Sequence, residues 1–390
     1  MFFEHVSSEV ILFFILYGIT GVVPLMAAVY LLMGRGNVFA PDVTPPVRLR
    51  RWAASFFAAS VLGHVWWYLF YMYSSDVNSV WFLLVILFDY VGMVITIAGP
   101  LLSMLQDRKR RIWLAFVAMI PFSVFMVLHF LYPEGPFEYI GTAYNLLLYV
   151  LFSAYMVYAV RQYGRWLNDN YADLENKKVW LSQVVSLVFL LFFILYAVVD
   201  VQTSQIYVLH VLELVFYGIL LWRVETLPQL ESISTENADA TSDSETAEQE
   251  NVETPARREL TVLATVDLTN IEGLLVEHCV NTQLYLEHDL TLQQLAHAIG
   301  TNRSYLSQYF SRQGITYNTY INNLRINYFI SRYQESITSR QSVVALQLAH
   351  ESGYNSYSTF SMAFKQRTGQ SVTAWMLDLV DSVSDTELEE

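Results

Sequence analysis

Along the first 226 residues, apolar side chains come in seven long runs separated by short polar gaps: 10–33, 52–73, 80–105, 112–132, 140–160, 179–199 and 206–222. Each approaches the roughly 20 residues that a helix needs to cross a bilayer. After residue 226 the pattern changes. Apolar positions now recur three and four apart, the spacing of amphipathic helices with one inward face. Such helices are expected at 268–280, 292–299, 303–312, 317–333, 343–352, 357–367 and 372–379. In the longest, Tyr320, Ile321, Leu324, Tyr328 and Phe329 form the inward stripe. No stretch alternates as a strand does, so the fold class is all-α: a seven-helix transmembrane bundle followed by a C-terminal helical domain.

Composition sharpens this picture. The chain is 54% hydrophobic and only 15% charged, with a mean hydropathy of +0.34. Soluble domains carry about 25% charged residues, so the balance favours a membrane protein. The first run has no basic residues before it and is too long for a cleaved signal segment. Basic residues then fix an orientation. Arg35, Arg48, Arg50 and Arg51 follow the first run, Arg108, Lys109, Arg110 and Arg111 the third, Arg161, Arg165, Lys177 and Lys178 the fifth, and Arg223 the seventh. The intervening gaps hold no Lys or Arg, only Asp76, Glu134, Glu138 and Asp200 near them. By the positive-inside rule the basic side is cytoplasmic, the N-terminus is outside, and everything after Trp222 is inside. With short outer loops, no extracytoplasmic sensor domain is expected, and a signal has to reach the bundle itself.

The net charge of −14 is concentrated in two segments. Residues 228–256 contain eight acidic residues and no Lys or Arg, and Asp385, Glu387, Glu389 and Glu390 add four more. The first segment lacks aromatics and is expected to be a disordered tether, because it cannot bury enough surface to offset chain entropy. The domain reading is therefore 1–226 sensor bundle, 227–259 acidic linker, 260–382 helical domain and 383–390 acidic tail. Cys279 is the only cysteine, in an apolar stretch, and reads as a buried thiol; disulfides and CxxC metal sites are excluded.

Within the helical domain, LAHAIGTNRSYLSQYF (295–310) returns 53 residues later as LAHESGYNSYSTFSMAF (348–364) with one residue inserted. In each copy a small Ala lets two helices approach, Gly300 or Gly353 supplies the turn, and Leu306 with Phe310, or Phe360 with Phe364, faces inward. These are two helix-turn-helix motifs, whose second helices can enter a major groove. The pair, joined by GITYNTYINNLRINYF and ending in KQRTGQSV, resembles the DNA-binding domain of the AraC/XylS family of bacterial transcription regulators over about residues 268–379. By that resemblance Arg303, Ser304, Ser307 and Gln308 form the first DNA-reading surface, Tyr357, Ser358, Ser361 and Met362 the second, and Lys365 and Arg367 contact phosphates. Val372 stands where the family often has Pro, and Met362 where a long polar side chain is frequent. The domain is also not basic, with seven Lys and Arg against nine Asp and Glu over 260–382. The resemblance implies double-stranded DNA as partner and leaves RNA polymerase open as a further one. The weak basicity points to a homodimer, and the apolar spans of a chain with a bacterial-type reader point to the bacterial cytoplasmic (inner) membrane.

Polar groups interrupt the spans at His64, Asp89, His129, Asn145, His210 and Glu213. Ionisable groups at that depth are costly and commonly face a bundle interior. One reading is a site for a small or lipophilic ligand, or for a proton, made by His64, Asp89, His210 and Glu213; the other is hydrogen bonding that fixes helix packing. His210 and Glu213 are three apart on one helix face, as metal ligands are, but two ligands make no site, so no metal or cofactor is expected. No span contains Lys, which excludes a retinal Schiff base, and Trp66, Trp67, Tyr68 and Tyr71 read as an interfacial belt. No nucleophile–base pair, kinase motif or receiver motif is present, so the chain is read as a membrane-bound regulator rather than an enzyme. The alternative is an intramembrane transporter or enzyme carrying an autoregulatory DNA-binding domain. A flexible tether transmits tilt poorly, so the bundle is expected to act by bringing two readers together.

Overall fold

The computed structural model describes residues 8–34, 36–73, 79–175, 177–198, 203–230, 270–339 and 343–379. They fall into two compact units, one of residues 1–163 with 176–241, the other of 164–175 with 242–390. In this grouping a short piece from the middle of the chain, 164–175, goes with the second unit.

The first unit is built from α1 (Ser8–Met33), α2 (Val47–Tyr73), α3 (Val80–Ser103), α4 (Trp113–Leu131), α5 (Phe137–Asn170, up to residue 163), α6 (Trp180–Val198) and α7 (Thr203–Thr226). Six of these are long and apolar enough to cross a membrane; in α6 the described apolar stretch, Trp180–Leu191, is shorter. Their outward residues, such as Phe14, Met26, Leu62 and Leu151, remain exposed, as lipid-facing side chains do, while small ones such as Ala27, Ala28, Ala53 and Ala54 are buried. Small residues let helix backbones approach where no hydrophobic force separates lipid from protein. Gly99 does this for Trp52: a Cβ there would lie 2.4 Å from the indole. α3 carries a π turn at Ile86–Tyr90, a type of irregularity frequent at functional sites.

Several basic residues beyond the spans are tied down. Arg50 pairs with the fully buried Glu225 at 3.0 Å, Arg110 with Asp107 at 2.6 Å, and Arg223 donates to the Lys178 carbonyl at 2.6 Å. Leu227–Leu230 also stay packed: Gln106 donates to Pro228 O at 3.0 Å and accepts from Leu230 N at 2.9 Å. Packed chain is therefore described for four residues of the segment read as linker. The rest of that linker (231–259) and the tail (383–390) lie outside the described residues.

The second unit contains α8 (270–280, closing in a π turn at Val276–Val280), a 3₁₀ turn at Leu284–Leu286, α9 (Leu292–Ala298), α10 (Arg303–Arg312), α11 (Tyr317–Thr338), α12 (Ala345–Glu351), α13 (Tyr357–Thr368) and α14 (372–379). Among the described residues there is no strand, only an isolated antiparallel bridge between Tyr171 and Thr291. Two cores share α11. Tyr317 and Ile321 pack with Leu295, Leu306 and Phe310; Ile326, Phe329 and Tyr333 pack with Leu348, Phe360 and Phe364. At 22 residues and ~1.5 Å per residue, α11 is about 33 Å long, five residues longer than the periodicity predicts.

Between the cores lies Arg325, with no exposed surface. Its Nε donates to Tyr285 O at 2.7 Å and its Nη2 to Glu287 O at 2.6 Å, and the guanidinium stacks over Tyr354 at 5.4 Å. One charged side chain thus bridges the loop after α8 and the second motif. Gly353 makes room for it. It has φ +87°, and a Cβ there would meet Leu286 O at 2.8 Å and Arg325 Nε at 2.9 Å. Gly300, its counterpart in the first motif, has φ +72° and open space around the same position.

Candidate nucleic-acid interface and intramembrane cluster

Each motif has its second helix started by a side-chain cap, which satisfies backbone donors that a helix leaves open. Asn302 accepts from Tyr305 N at 2.9 Å to begin α10, and Ser356 accepts from Thr359 N at 3.3 Å to begin α13. Leu306 and Phe310 anchor α10, leaving Ser304, Ser307 and Gln308 exposed together one turn apart on the opposite face. Phe360 and Phe364 anchor α13, leaving Ser358 and Met362 exposed and Ser361 half-buried between them. Tyr357 turns partly inward onto Phe360, with ring centroids 5.6 Å apart, so it presents less of itself than the sequence reading supposes. Lys365 and Arg367 are exposed in the last turns of α13.

Arg303 is half-buried, and its Nε and Nη2 donate to Asn170 Oδ1 at 2.9 and 2.5 Å. Asn170 opens a short segment that lines the N-terminal ends of both reading helices. Asn318 donates to Ala172 O at 2.6 Å, Ala172 N donates to Leu290 O at 3.2 Å, and the Ala172 side chain is buried in the first core. Asn355 donates to Asp173 Oδ2 at 3.0 Å. Glu175 Oε2 accepts from the Thr359 hydroxyl at 2.9 Å and from the Ser356 hydroxyl. Carboxylates therefore sit where a helix N-terminus favours an anion, the place a DNA phosphate takes in a protein–DNA complex. Sequence reasoning missed this segment, because 170–175 follows an apolar run as an ordinary polar loop.

In the first unit, three of the four residues read as a ligand or proton site converge. His64, His210 and Glu213 each bring a ligand atom within 4.8 Å of the others. His64 Nδ1 lies 2.8 Å from Ser60 O and its Nε2 2.9 Å from Thr20 Oγ1; His210 Nδ1 is 3.4 Å from both Thr20 Oγ1 and Glu213 Oε2. Glu213 Oε1 accepts from the Tyr217 hydroxyl. The Tyr17 ring stands 4.9 Å from the His64 ring and 6.0 Å from that of His210, giving the cluster an aromatic wall. Asp89 accepts instead from Trp67 Nε1 at 2.7 Å and packs tightly on Gly63, so Trp67, read from the sequence as part of an interfacial belt, is engaged in a hydrogen bond. His129 faces Glu138 at 3.8 Å, and Asn145 bonds the Tyr90 hydroxyl; both are packing contacts apart from the cluster. Cys279 is fully buried, and burial pushes its thiol up to about 11, so it stays protonated and inert.

Comparison with known proteins adds one match. Residues 295–377 fit the family model described as a helix-turn-helix domain, of the AraC type. No curated protein and no solved structure matches the chain.

Proposed function

We propose, taking the second unit as an AraC-type DNA-binding domain, that the chain is a membrane-bound transcription regulator. It reads specific promoter DNA through α10 and α13 of two helix-turn-helix motifs. Ser304, Ser307 and Gln308 of the first motif and Ser358, Ser361 and Met362 of the second supply base contacts, while Lys365 and Arg367 hold phosphates. Arg303 joins the first set once released from Asn170; Tyr357 acts through its edge. A rigid α11 of about 33 Å supports this reading, because two major-groove faces one DNA turn apart are separated by ~34 Å.

The observation that carries regulation is the segment 170–175 at the N-termini of both reading helices. It follows directly in sequence from the apolar helix α5. Asp173 and Glu175 compete with DNA phosphates at the N-terminus of α13 and Asn170 holds Arg303 at that of α10, so a change in the bundle that withdraws the segment exposes the reader. The sensed ligand is assigned to the cluster of His64, His210 and Glu213, with Asp89 beside it on Trp67. The orientation proposed is N-terminus outside and reader in the cytoplasm, in a bacterial inner membrane. Two chains act as a homodimer on one promoter, since a reader that is not basic gains little from non-specific phosphate attraction. Contact with RNA polymerase follows from the site occupied.

Genome-wide mapping of DNA bound by the intact chain, together with transcript changes on deletion, tests this reading. Enrichment at a small set of promoters whose transcripts change is expected. Uniform background binding with unchanged transcripts would sink it in favour of a transport or enzymatic role for the bundle.

A further inference from the structure

We propose that His64, His210 and Glu213 form a binding site for one divalent first-row transition metal ion, of the zinc class, inside the transmembrane bundle. This rests on the cluster being the ligand site proposed above and names the ligand's chemistry. Two helices distant in sequence supply the donors, His64 from α2 and the His210–Glu213 pair from α7. Two imidazoles with one carboxylate are the donor set of open zinc sites, in which a fourth position holds water or another oxygen. The Thr20 hydroxyl, within 3.4 Å of both imidazole nitrogens, stands at that position.

Proton accounting favours a cation here. The His64 Nδ1 proton goes to the Ser60 carbonyl, which leaves Nε2 with its lone pair facing the cluster. A metal-binding histidine is commonly oriented this way, by a backbone carbonyl on its other nitrogen. Glu213 faces inward with Oε2, while Oε1 is held by Tyr217. Thr20 can donate only one proton, and the carbonyls of Leu16 and Tyr17, at 3.0 and 3.1 Å, compete for it. Without a metal, His210 has two contacts of 3.4 Å at Nδ1, long beside the 2.9–3.0 Å usual for N–H···O bonds. A metal at ~2.0–2.1 Å from each donor draws the three atoms into contact and satisfies all of them at once. Tyr17 and Phe13, whose ring is 6.0 Å from His210, close the apolar side of the site. Asp89 is occupied by Trp67 and is not a ligand.

The test uses the full chain, chelator-stripped in lipid nanodiscs and titrated with Co²⁺ and then Zn²⁺. Expected are one equivalent of Co²⁺ with the intense visible bands of four-coordinate cobalt, and their loss on Zn²⁺ addition. His64→Gln and Glu213→Gln are expected to weaken binding at least about tenfold, while His129→Asn, apart from the cluster beside Glu138, leaves it unchanged. His210→Cys guards against misfolding: it is expected to retain Co²⁺ and add a thiolate-to-cobalt band in the near ultraviolet. Absence of four-coordinate bands in the native chain, or equal affinity in all variants, would overturn the metal site and leave a hydrogen-bonded packing cluster. A reporter for a promoter bound in cells separates the two claims. Metal binding without any transcript response to zinc would overturn the sensing role and leave the site standing.

Discussion

The two helix-turn-helix copies began from one pattern and are held in different ways. In the first, α9 starts with a reciprocal cap between Thr291 and Gln294, Gly300 turns in open space, and the reading face is Ser304, Ser307 and Gln308. In the second, α12 starts at Val344 with no side-chain cap, Gly353 is pressed between Leu286 and Arg325, and the reading face contains Met362. The first copy is stabilised locally, the second by a buried arginine that ties it to the rest of the unit. A repeated sequence motif need not repeat its source of stability. Each motif stands on its own core, and the second adds a long-range anchor where the first adds a local cap.

Breaking the anchor should have the largest effect. Gly353→Ala combines a strained positive φ with a 2.8 Å backbone clash and is expected to cost about 2–4 kcal/mol. Gly300→Ala, with the same φ sign but open space, should cost only about 1 kcal/mol. Arg325→Met should resemble the first, since it strands the buried Tyr285 carbonyl and removes the bond to Glu287 O. Amide hydrogen exchange over 343–379 in the intact chain would read all three. Equal loss of protection in both glycine variants would erase the distinction drawn here.

Arg325 also shows how far the sequence could be read. It lies four residues after Ile321 and four before Phe329, inside the inward stripe of α11, so its burial was legible in principle. A charge on an amphipathic helix is read by habit as solvated, and its partners, two carbonyls near residue 286, have no pattern. The bounds of α10 match the expectation to the residue, because Asn302 and the Leu306–Phe310 spacing are local signals. The contacts of 170–175 were not legible, since they join positions more than 100 residues apart through backbone carbonyls and carboxylates. His64 joined His210 and Glu213 for a similar reason: only tertiary packing brings α2 beside α7.

The reading faces should differ next. Gln308→Ala is expected to relax base preference in the first half-site by ~1–3 kcal/mol, the value of a lost bidentate contact, measured by selection of bound sequences. Met362→Ala should change preference in the second half-site by less, since a thioether offers only apolar contact. Arg367→Ala should weaken every sequence alike and lower the salt slope by about one unit. If the Gln308 and Arg367 variants respond identically, the division into readers and phosphate contacts fails. The smallest effect is at Cys279: with its thiol pushed up to about 11 and no exposed surface, maleimide labelling at pH 8 should be negligible until the unit unfolds.

Whether the segment after α5 holds the reader back from DNA is decided by one titration. The intact chain in nanodiscs, bearing Asp173→Asn and Glu175→Gln together, is titrated with a bound promoter fragment beside the native chain. Loss of the two carboxylates at the α13 N-terminus should tighten binding by about fivefold to thirtyfold, some 1–2 kcal/mol, at low salt. Unchanged or weaker binding by the double variant would contradict the account and make 170–175 a structural strap of the second unit.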